Sequence, residues 1–144
     1  MKKETYYQMT MITKPVKNKY DFNDKLPAGM IFFPLTSITE IVCSYFGIPV
    51  DETLYGCNRK MTFAKAKHII RWMLMTHTVV RTSEYDYFED YSVWEHSQMI
   101  RSARMVDGFL SIKDKEYTDN IDSIMLVVNK LRTTDPIFNS IFKK

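Results

Sequence analysis

Apolar residues recur every three or four positions along most of this chain from residue 37 onward, the spacing that gathers them on one face of an α-helix. Four such stripes predict four principal helices, and two shorter segments at 51–55 and 85–91 predict further helical elements. The stripes are Ile38, Ile41, Val42, Tyr45 and Phe46; Phe63, Ala66, Ile70 and Met73; Met99, Ala103, Val106 and Leu110; and Ile121, Ile124, Met125 and Val128. The pattern therefore predicts a small all-α domain of five or six helices.

Local capping residues predict where the first two of these helices begin and end. Ser37 followed by Glu40 forms a capping box, which predicts that the first helix starts there. Gly47 is expected to end that helix in the left-handed conformation. Thr62 is a candidate N-cap for the second helix, which is expected to run to about Thr76.

The two ends of the chain lack this long helical periodicity. Residues 1–35 are expected to form an irregular arm that either packs loosely or contacts nucleic-acid backbone. Residues 36–132 are expected to form the helical domain, with its last helix at about 118–131. Residues 133–144 are expected to be a tail that makes one amphipathic turn or contacts a protein partner. Its apolar side chains are Ile137, Phe138, Ile141 and Phe142.

Composition and charge argue against a disulfide-rich, membrane-spanning or secreted protein but do not identify a function. The formal net charge is +3, and residues 1–34 carry six lysines against three acids, so 6 − 3 = +3 and the rest of the chain is neutral as a block. The two cysteines, Cys43 and Cys57, are too few for a disulfide scaffold and lack metal-ligand spacing, so no metal or other cofactor is expected. No apolar run is long enough for a membrane span, and no secretory signal is visible. A cytoplasmic, non-membrane protein is therefore expected.

The third principal helix, from about Trp94 through Val106, carries candidate binding chemistry. Ser97, Arg101 and Arg104 lie opposite its apolar stripe at about 100° per residue. The helix start at 96–98 offers backbone N–H groups and a dipole that favour a phosphate. Two interpretations remain open: an ordinary amphipathic surface helix, or a helix whose first turn enters a DNA groove.

The second principal helix and the loop before it are basic. No acid occurs between Thr53 and Ser83, whereas six cations do: Arg59, Lys60, Lys65, Lys67, Arg71 and Arg81. Lys60, Lys67 and Arg71 share one helical face at i, i+7 and i+11. Such a run is either a solvated face or a surface that contacts phosphates.

The acidic and aromatic element at 85–91 leads through Ser92-Val93-Trp94, an expected tight turn, into the third principal helix. Helix, short turn and helix in this order form a helix-turn-helix. Trp94 is expected either to plug that turn from the core or to stack on a base. Five acids beside the helix oppose DNA binding, because carboxylates repel phosphates: Glu84, Asp86, Glu89, Asp90 and Glu95.

The three histidines do not indicate an enzyme. His68 is expected to be a surface or packed residue rather than a ligand, and His77 to complement the dipole at a helix end. His96 has only Glu95 and Ser97 as adjacent polar partners, and adjacent residues on a helix do not face each other. We therefore expect a protein without catalytic activity.

Four segments between Ile38 and Leu131 occur in an order and at a spacing that resemble those of a known family. They are Ile41–Ile48, Val50–Leu54 followed by Arg59-Lys60, Ala66–Ile70, and Glu95–Ile100. This series resembles the C-terminal DNA-binding domain of the bacterial replication initiator DnaA, a Trp-repressor-like helix-turn-helix domain. It covers nearly two thirds of the chain. The resemblance implies double-stranded DNA as the partner and a role in replication or transcription control.

The resemblance and the helical faces together predict the interface. The expected base-reading residues are Glu95, His96, Ser97, Gln98 and Arg101, and the expected backbone contacts are Arg59, Lys60, Lys67, Arg71 and Arg104. The chain departs from the family where Ser92-Val93-Trp94 replaces Gly-Gly-Arg and Glu95 replaces Asp. These changes imply a bound sequence other than the family's usual site. No GxxxxGK[ST] phosphate loop is present, so a complete initiator is not expected.

Two hypotheses follow from the sequence. The first is non-catalytic binding of double-stranded DNA through the helix-turn-helix. The second is a protein-interaction module that kept this fold and lost DNA binding, with the acidic stretch 84–95 or the C-terminal tail as its contact surface.

Overall fold

Six α-helices and one 3-10 helix form the part of the chain that the structure, a computed structural model, describes: residues 32–55, 58–87 and 93–143. They are α1 (Phe33–Phe46), α2 (Val50–Tyr55), α3 (Met61–His77), the 3-10 helix (Thr82–Tyr87), α4 (His96–Ser111), α5 (Lys115–Thr134) and α6 (Pro136–Asn139). Within these ranges the pairing of Thr78 with Phe142 is an isolated bridge and not a strand. The predicted all-α class is confirmed.

The core lies between α3 and the helices on either side of it. α3 packs most extensively against α4 and next against α1, while α5 packs against both α1 and α4. The predicted stripes supply most of the core. Among the fully buried side chains are Ile38, Val42, Ile70, Met73, Met99, Val106, Ile124 and Val128. Because α4 is held by α3 on one side, its opposite face is left at the surface.

Helix α1 begins five residues earlier than its capping box predicts, with Phe32 rather than Ser37 as its N-cap. It starts at Phe33, with Pro34 in the first turn, and Ser37 lies inside the helix as a buried residue whose hydroxyl has no hydrogen-bond partner. The capping-box prediction is therefore wrong. The physical reason is burial: Phe32, Phe33 and Leu35 are fully enclosed, and the apolar area that this turn removes from water outweighs a local cap.

Two other expectations for this region have different outcomes. Gly47 ends α1 in the left-handed conformation, with φ 70° and its N–H donating to the Cys43 carbonyl, so this prediction is confirmed. Residues 33–35 are helical and do not belong to an irregular arm. The rest of the predicted arm, residues 1–31, lies outside the described residues.

The middle of the chain keeps the predicted order with shifted boundaries. Lys60 is the N-cap of α3, so Thr62 lies inside its first turn and is not a cap. The short element predicted at 85–91 is a 3-10 helix over Thr82–Tyr87. Its predicted continuation and the start of the turn fall on residues 88–92, which lie outside the described ranges. The second helix of the predicted helix-turn-helix, α4, is present.

The C-terminal segment is part of the domain. Asp135 caps α6 by accepting hydrogen bonds from the backbone N–H groups of Ile137 and Phe138. The tail then turns back on the end of α3, where the Val79 N–H donates to the Ile141 carbonyl at 2.9 Å. Phe138, Ile141 and Phe142 are buried. The tail thus makes the predicted amphipathic turn, and a partner contact through these three side chains is wrong because they already fill the protein's own core.

Candidate nucleic-acid interface

Helix α4 presents one polar, basic face to solvent. Ser97, Arg101 and Arg104 are exposed, whereas Met99, Ala103 and Val106 are buried on the opposite side. The amphipathic pattern predicted for this helix is confirmed. No carboxylate occurs on α4 ahead of Asp107, and that side chain accepts a hydrogen bond from the Trp72 indole at 2.8 Å.

The N-terminal end of α4 already carries a carboxylate. The backbone N–H of His96 donates to Oδ1 of Asp86 at 2.8 Å, so Asp86 satisfies one of the groups that a phosphate would use. The N-cap residue Glu95 is exposed and makes no side-chain cap. A phosphate at this position would have to displace Asp86 or bind beside it.

His96 and Gln98, two of the predicted base-reading residues, are only half-exposed. Nδ1 of His96 lies 2.7 Å from the hydroxyl of Thr82, which is buried. The imidazole therefore ties the start of α4 to the start of the 3-10 helix. This contact leaves Ser97 and Arg101 as the more accessible groups on the first turns of α4.

Arg71 is an internal residue and not the surface cation that its helical position predicts. Its guanidinium donates twice to the Val93 carbonyl, at 3.1 and 2.8 Å, and once to the Ser102 hydroxyl at 3.3 Å. It also lies 5.3 Å from the centre of the Trp94 ring. Burial, helped by the charge of Arg101, lowers the pKa of Arg71 to about 10, so the group stays protonated at neutral pH.

Lys67 is buried as well, with 8% of its surface exposed. The prediction that Lys67 and Arg71 form an exposed phosphate-binding face of α3 is therefore wrong. The helical spacing correctly puts both on one face, but α4 and the segment that carries Val93 cover that face. Of the predicted backbone contacts, Arg59, Lys60 and Arg104 are exposed.

The loop that carries Arg59 and Lys60 is held by side-chain contacts. Asn58 accepts a hydrogen bond from the Lys60 backbone N–H at 2.9 Å and donates to the Glu52 carboxylate at 3.1 Å. The loop is therefore tied to α2. Its two cations stand at the surface ahead of α3.

Trp94 is a core residue. Its ring is fully buried, and its indole N–H donates to the Leu54 carbonyl at 3.0 Å, joining the turn before α4 to α2. The first of the two predicted roles, a plug for the turn, is confirmed. Stacking on a base is wrong, because the ring has no exposed face.

One polar cluster between α3 and α4 was not anticipated. Nδ1 of His68 lies 2.8 Å from the hydroxyl of Ser102, which also accepts from Arg71. Burial lowers the pKa of His68, and the charges of Arg71 and Lys67 lower it further. Ser102 is 1% exposed, so this serine–histidine pair is not open to a substrate. His68 is therefore a packed histidine, as predicted. No pattern in the sequence indicates Ser102 as its partner.

His77 is also packed, half-buried at the C-terminal end of α3. Its ring lies 4.7 Å from the ring of Trp72, and its Nδ1 lies 2.6 Å from the Thr76 hydroxyl. Burial lowers its pKa, as do the nearby charges of Lys143 and Arg132, while Asp107 acts in the opposite direction. His77 lies in the last turn of α3, as the predicted dipole role requires, but these surroundings disfavour the charged imidazole, so that role stays a prediction.

Among the described residues, no three His, Cys, Asp or Glu side chains are grouped to hold a metal ion. Cys43 is buried, which raises the pKa of its thiol, and Cys57 lies outside the described ranges. None of the helices in the described ranges combines the length and the apolar character needed to cross a membrane.

Comparisons of the chain with protein-family models, with curated proteins and with solved structures yield no match.

Proposed function

We propose that this protein binds double-stranded DNA, without catalysing a reaction on it, through the exposed face of α4. The observation that carries this proposal is the composition of that face. Ser97, Arg101 and Arg104 are exposed together, and no carboxylate occurs on α4 between His96 and Val106.

The dimensions and chemistry of α4 suit the major groove. A helix about 10–12 Å across fits a groove about 12 Å wide. We expect Arg101 to read a base edge, because a guanidinium pairs bidentately with guanine. We expect Arg104, one turn further along, and the exposed cations Arg59 and Lys60 ahead of α3 to contact backbone phosphates.

The sequence series that resembles the DnaA C-terminal domain supports the same proposal and a role in replication or transcription control. Two predicted contacts are no longer part of it. Lys67 and Arg71 are buried, so the interface rests on Ser97, Arg101 and Arg104 with the loop cations. Glu95 and Asp86 at the edge of this surface are expected to lower affinity and to shape the preferred sequence.

The test is a double substitution, Arg101→Ala with Arg104→Ala, in the full chain. We expect affinity for duplex DNA to fall at least about tenfold at low salt, because a bidentate base contact alone is worth roughly 1–3 kcal/mol. The dependence of log K on log salt should become shallower by about 0.9 for each phosphate that the variant no longer neutralises. The measurement is fluorescence anisotropy with a labelled duplex at several salt concentrations.

The matched control is Lys130→Glu, which replaces an exposed cation on α5 by an anion and lowers the net charge by two, as the double substitution does. This variant should bind DNA about as tightly as the unchanged protein. If the double α4 variant binds as tightly as the control, the proposed interface is wrong. No binding of the unchanged protein to random duplex DNA at low salt would reject DNA binding altogether.

A protein-interaction module is the second candidate, and two observations favour it. Asp86 occupies the N-terminal end of α4, where DNA would approach. Leu126, Val127 and Tyr45 also expose apolar surface on α5 and α1. Affinity purification of the full chain separates the candidates. Recovery of DNA without a stoichiometric protein would count against the interaction module.

A further inference from the structure

A cleft beside the start of α4 combines cations and hydroxyl groups from three separate parts of the fold. It has a volume of about 310 Å³ and lies between the segment that follows α3, the 3-10 helix, the first residue of α4 and the end of the chain. Its polar lining consists of Arg81, Lys143, His96, Thr78, Thr82 and Ser83. We call it the Arg81–Lys143 cleft.

The described residues that line this cleft include two exposed cations, Arg81 and Lys143, and none of these described residues carries a carboxylate. Ser83 is exposed and can donate a hydrogen bond from its hydroxyl. Concave surfaces lined by one sign of charge focus the electrostatic potential and concentrate ions of the opposite sign. The cleft therefore suits an anion.

The walls of the cleft are fixed by contacts within the fold. Thr82 is held by the imidazole of His96 at 2.7 Å. Lys143 is positioned by its backbone N–H, which donates to the His77 carbonyl at 2.9 Å, next to the bridge between Thr78 and Phe142. The two cations thus come from distant parts of the chain and are brought together by the docked C-terminal segment.

We propose that the Arg81–Lys143 cleft binds a phosphate group, with Arg81 and Lys143 as its cations and Ser83 as a hydroxyl donor. Guanidinium and ammonium groups form the strong, charge-assisted hydrogen bonds that tetrahedral phosphate oxygens accept. The cleft adjoins the first residue of α4, so a backbone phosphate of duplex DNA is one source. A free phosphorylated small molecule is the other. Only the DNA source rests on the proposed function; the phosphate site itself does not.

The first arm of the test uses inorganic phosphate and the full chain. In a heteronuclear NMR titration at constant ionic strength, the amide signals of Arg81, Ser83 and Lys143 should shift and saturate in the millimolar range. The Lys143→Ala variant keeps the backbone N–H that docks the tail, and it should weaken phosphate binding about tenfold. Lys143→Arg should restore binding. Lys130→Ala, on the exposed face of α5, should leave the titration unchanged.

Two results of this arm would overturn the proposal. The first is the absence of saturable shifts in the unchanged protein. The second is a Lys143→Ala variant that is folded, by its unperturbed α5 signals, and still binds phosphate as the unchanged protein does. Arg81→Ala provides an independent variant, because its side chain lies at the surface and its removal should not unfold the chain.

The second arm asks where the phosphate comes from. If DNA supplies it, the combined Arg81→Ala and Lys143→Ala variant should reduce the salt dependence of duplex binding by about 0.9, with base preference unchanged. If phosphate binds but the slope of log K against log salt for duplex binding does not change, the cleft is a site for a phosphorylated small molecule. Because Arg101 and Arg104 are untouched in this arm, failure of the α4 interface and failure of the cleft give different results.

Discussion

Arg71 and Arg101 carry the same charged group on neighbouring helices but in opposite surroundings. The Arg71 guanidinium is buried, and the Val93 carbonyl and the Ser102 hydroxyl accept its hydrogen bonds. The Arg101 guanidinium is exposed on α4. The first residue therefore contributes to folding, whereas the second is available for a ligand.

Substitution of Arg71 by alanine should lower the free energy of unfolding by about 2–4 kcal/mol. The change removes both Arg71 hydrogen bonds to the half-buried Val93 carbonyl, leaves the buried Ser102 hydroxyl with His68 as its remaining partner, and opens a cavity beside Trp94. Urea denaturation checks this. Arg101→Ala is the matched control and should stay within about 0.5 kcal/mol. Equal decreases in the two variants would contradict the assignment of Arg71 to the interior.

Helix α3 contacts both α4 and the C-terminal segment through polar groups as well as apolar side chains. His68 meets Ser102 on α4, and His77 lies among Trp72, the docked tail and α4. Both histidines are half-buried among cationic neighbours, which lowers the pKa of each below the ordinary value of 6.5. The helix is therefore most stable with both imidazoles neutral.

Acidification should destabilise the protein below about pH 6.5. In that range the unfolded chain binds more protons than the folded chain, because His68 and His77 have lower pKa values when folded. Stability is then complete above about pH 6.5 and falls as the pH drops toward the folded pKa values. Urea midpoints measured between pH 8 and 5 should show this decline.

The variant with His68→Gln and His77→Gln provides the control for this pH dependence. Its carboxylates are those of the unchanged protein, so any difference in slope between pH 7 and 5.5 belongs to the two histidines. We expect a flatter profile in the variant. The same slope in both proteins would show that the two imidazoles do not carry the effect.

The C-terminal segment packs into the core of the domain and bonds to the end of α3. Phe138, Ile141 and Phe142 are buried, and the backbone of the segment bonds to the end of α3 through Val79 and His77. The same docking brings Lys143 to the cleft beside α4. The last residues of the chain therefore support both stability and the proposed phosphate site.

Phe138→Ala should cost about 3–5 kcal/mol of unfolding free energy, the range for removing a buried aromatic ring. Its neighbour Ile137 is 51% exposed and is the matched control. Ile137→Ala should change stability by less than about 0.5 kcal/mol. Thermal or urea unfolding of the two variants checks the prediction. A small effect of Phe138→Ala would mean that the tail is not part of the cooperative unit.

Local patterns in the sequence were sufficient to predict the four principal helices, their order and the apolar face of each. Helical periodicity depends on residues three and four positions apart, so it can be read without knowledge of the fold. The stripe of α4 with its exposed Ser97, Arg101 and Arg104 was predicted for this reason. The left-handed end of α1 at Gly47 was predicted from another local property, the freedom of glycine to adopt a positive φ.

Which polar faces stay exposed to water depends on how the helices pack against one another. Arg71 and Lys67 have the helical spacing of surface cations, but burial depends on what packs over a face, and the covering residues are distant in sequence. The start of α1 followed from burial of Phe32 and Phe33 rather than from a cap, and the tail filled the protein's own core. The Arg81–Lys143 cleft joins residues 62 positions apart, a proximity that no local pattern encodes.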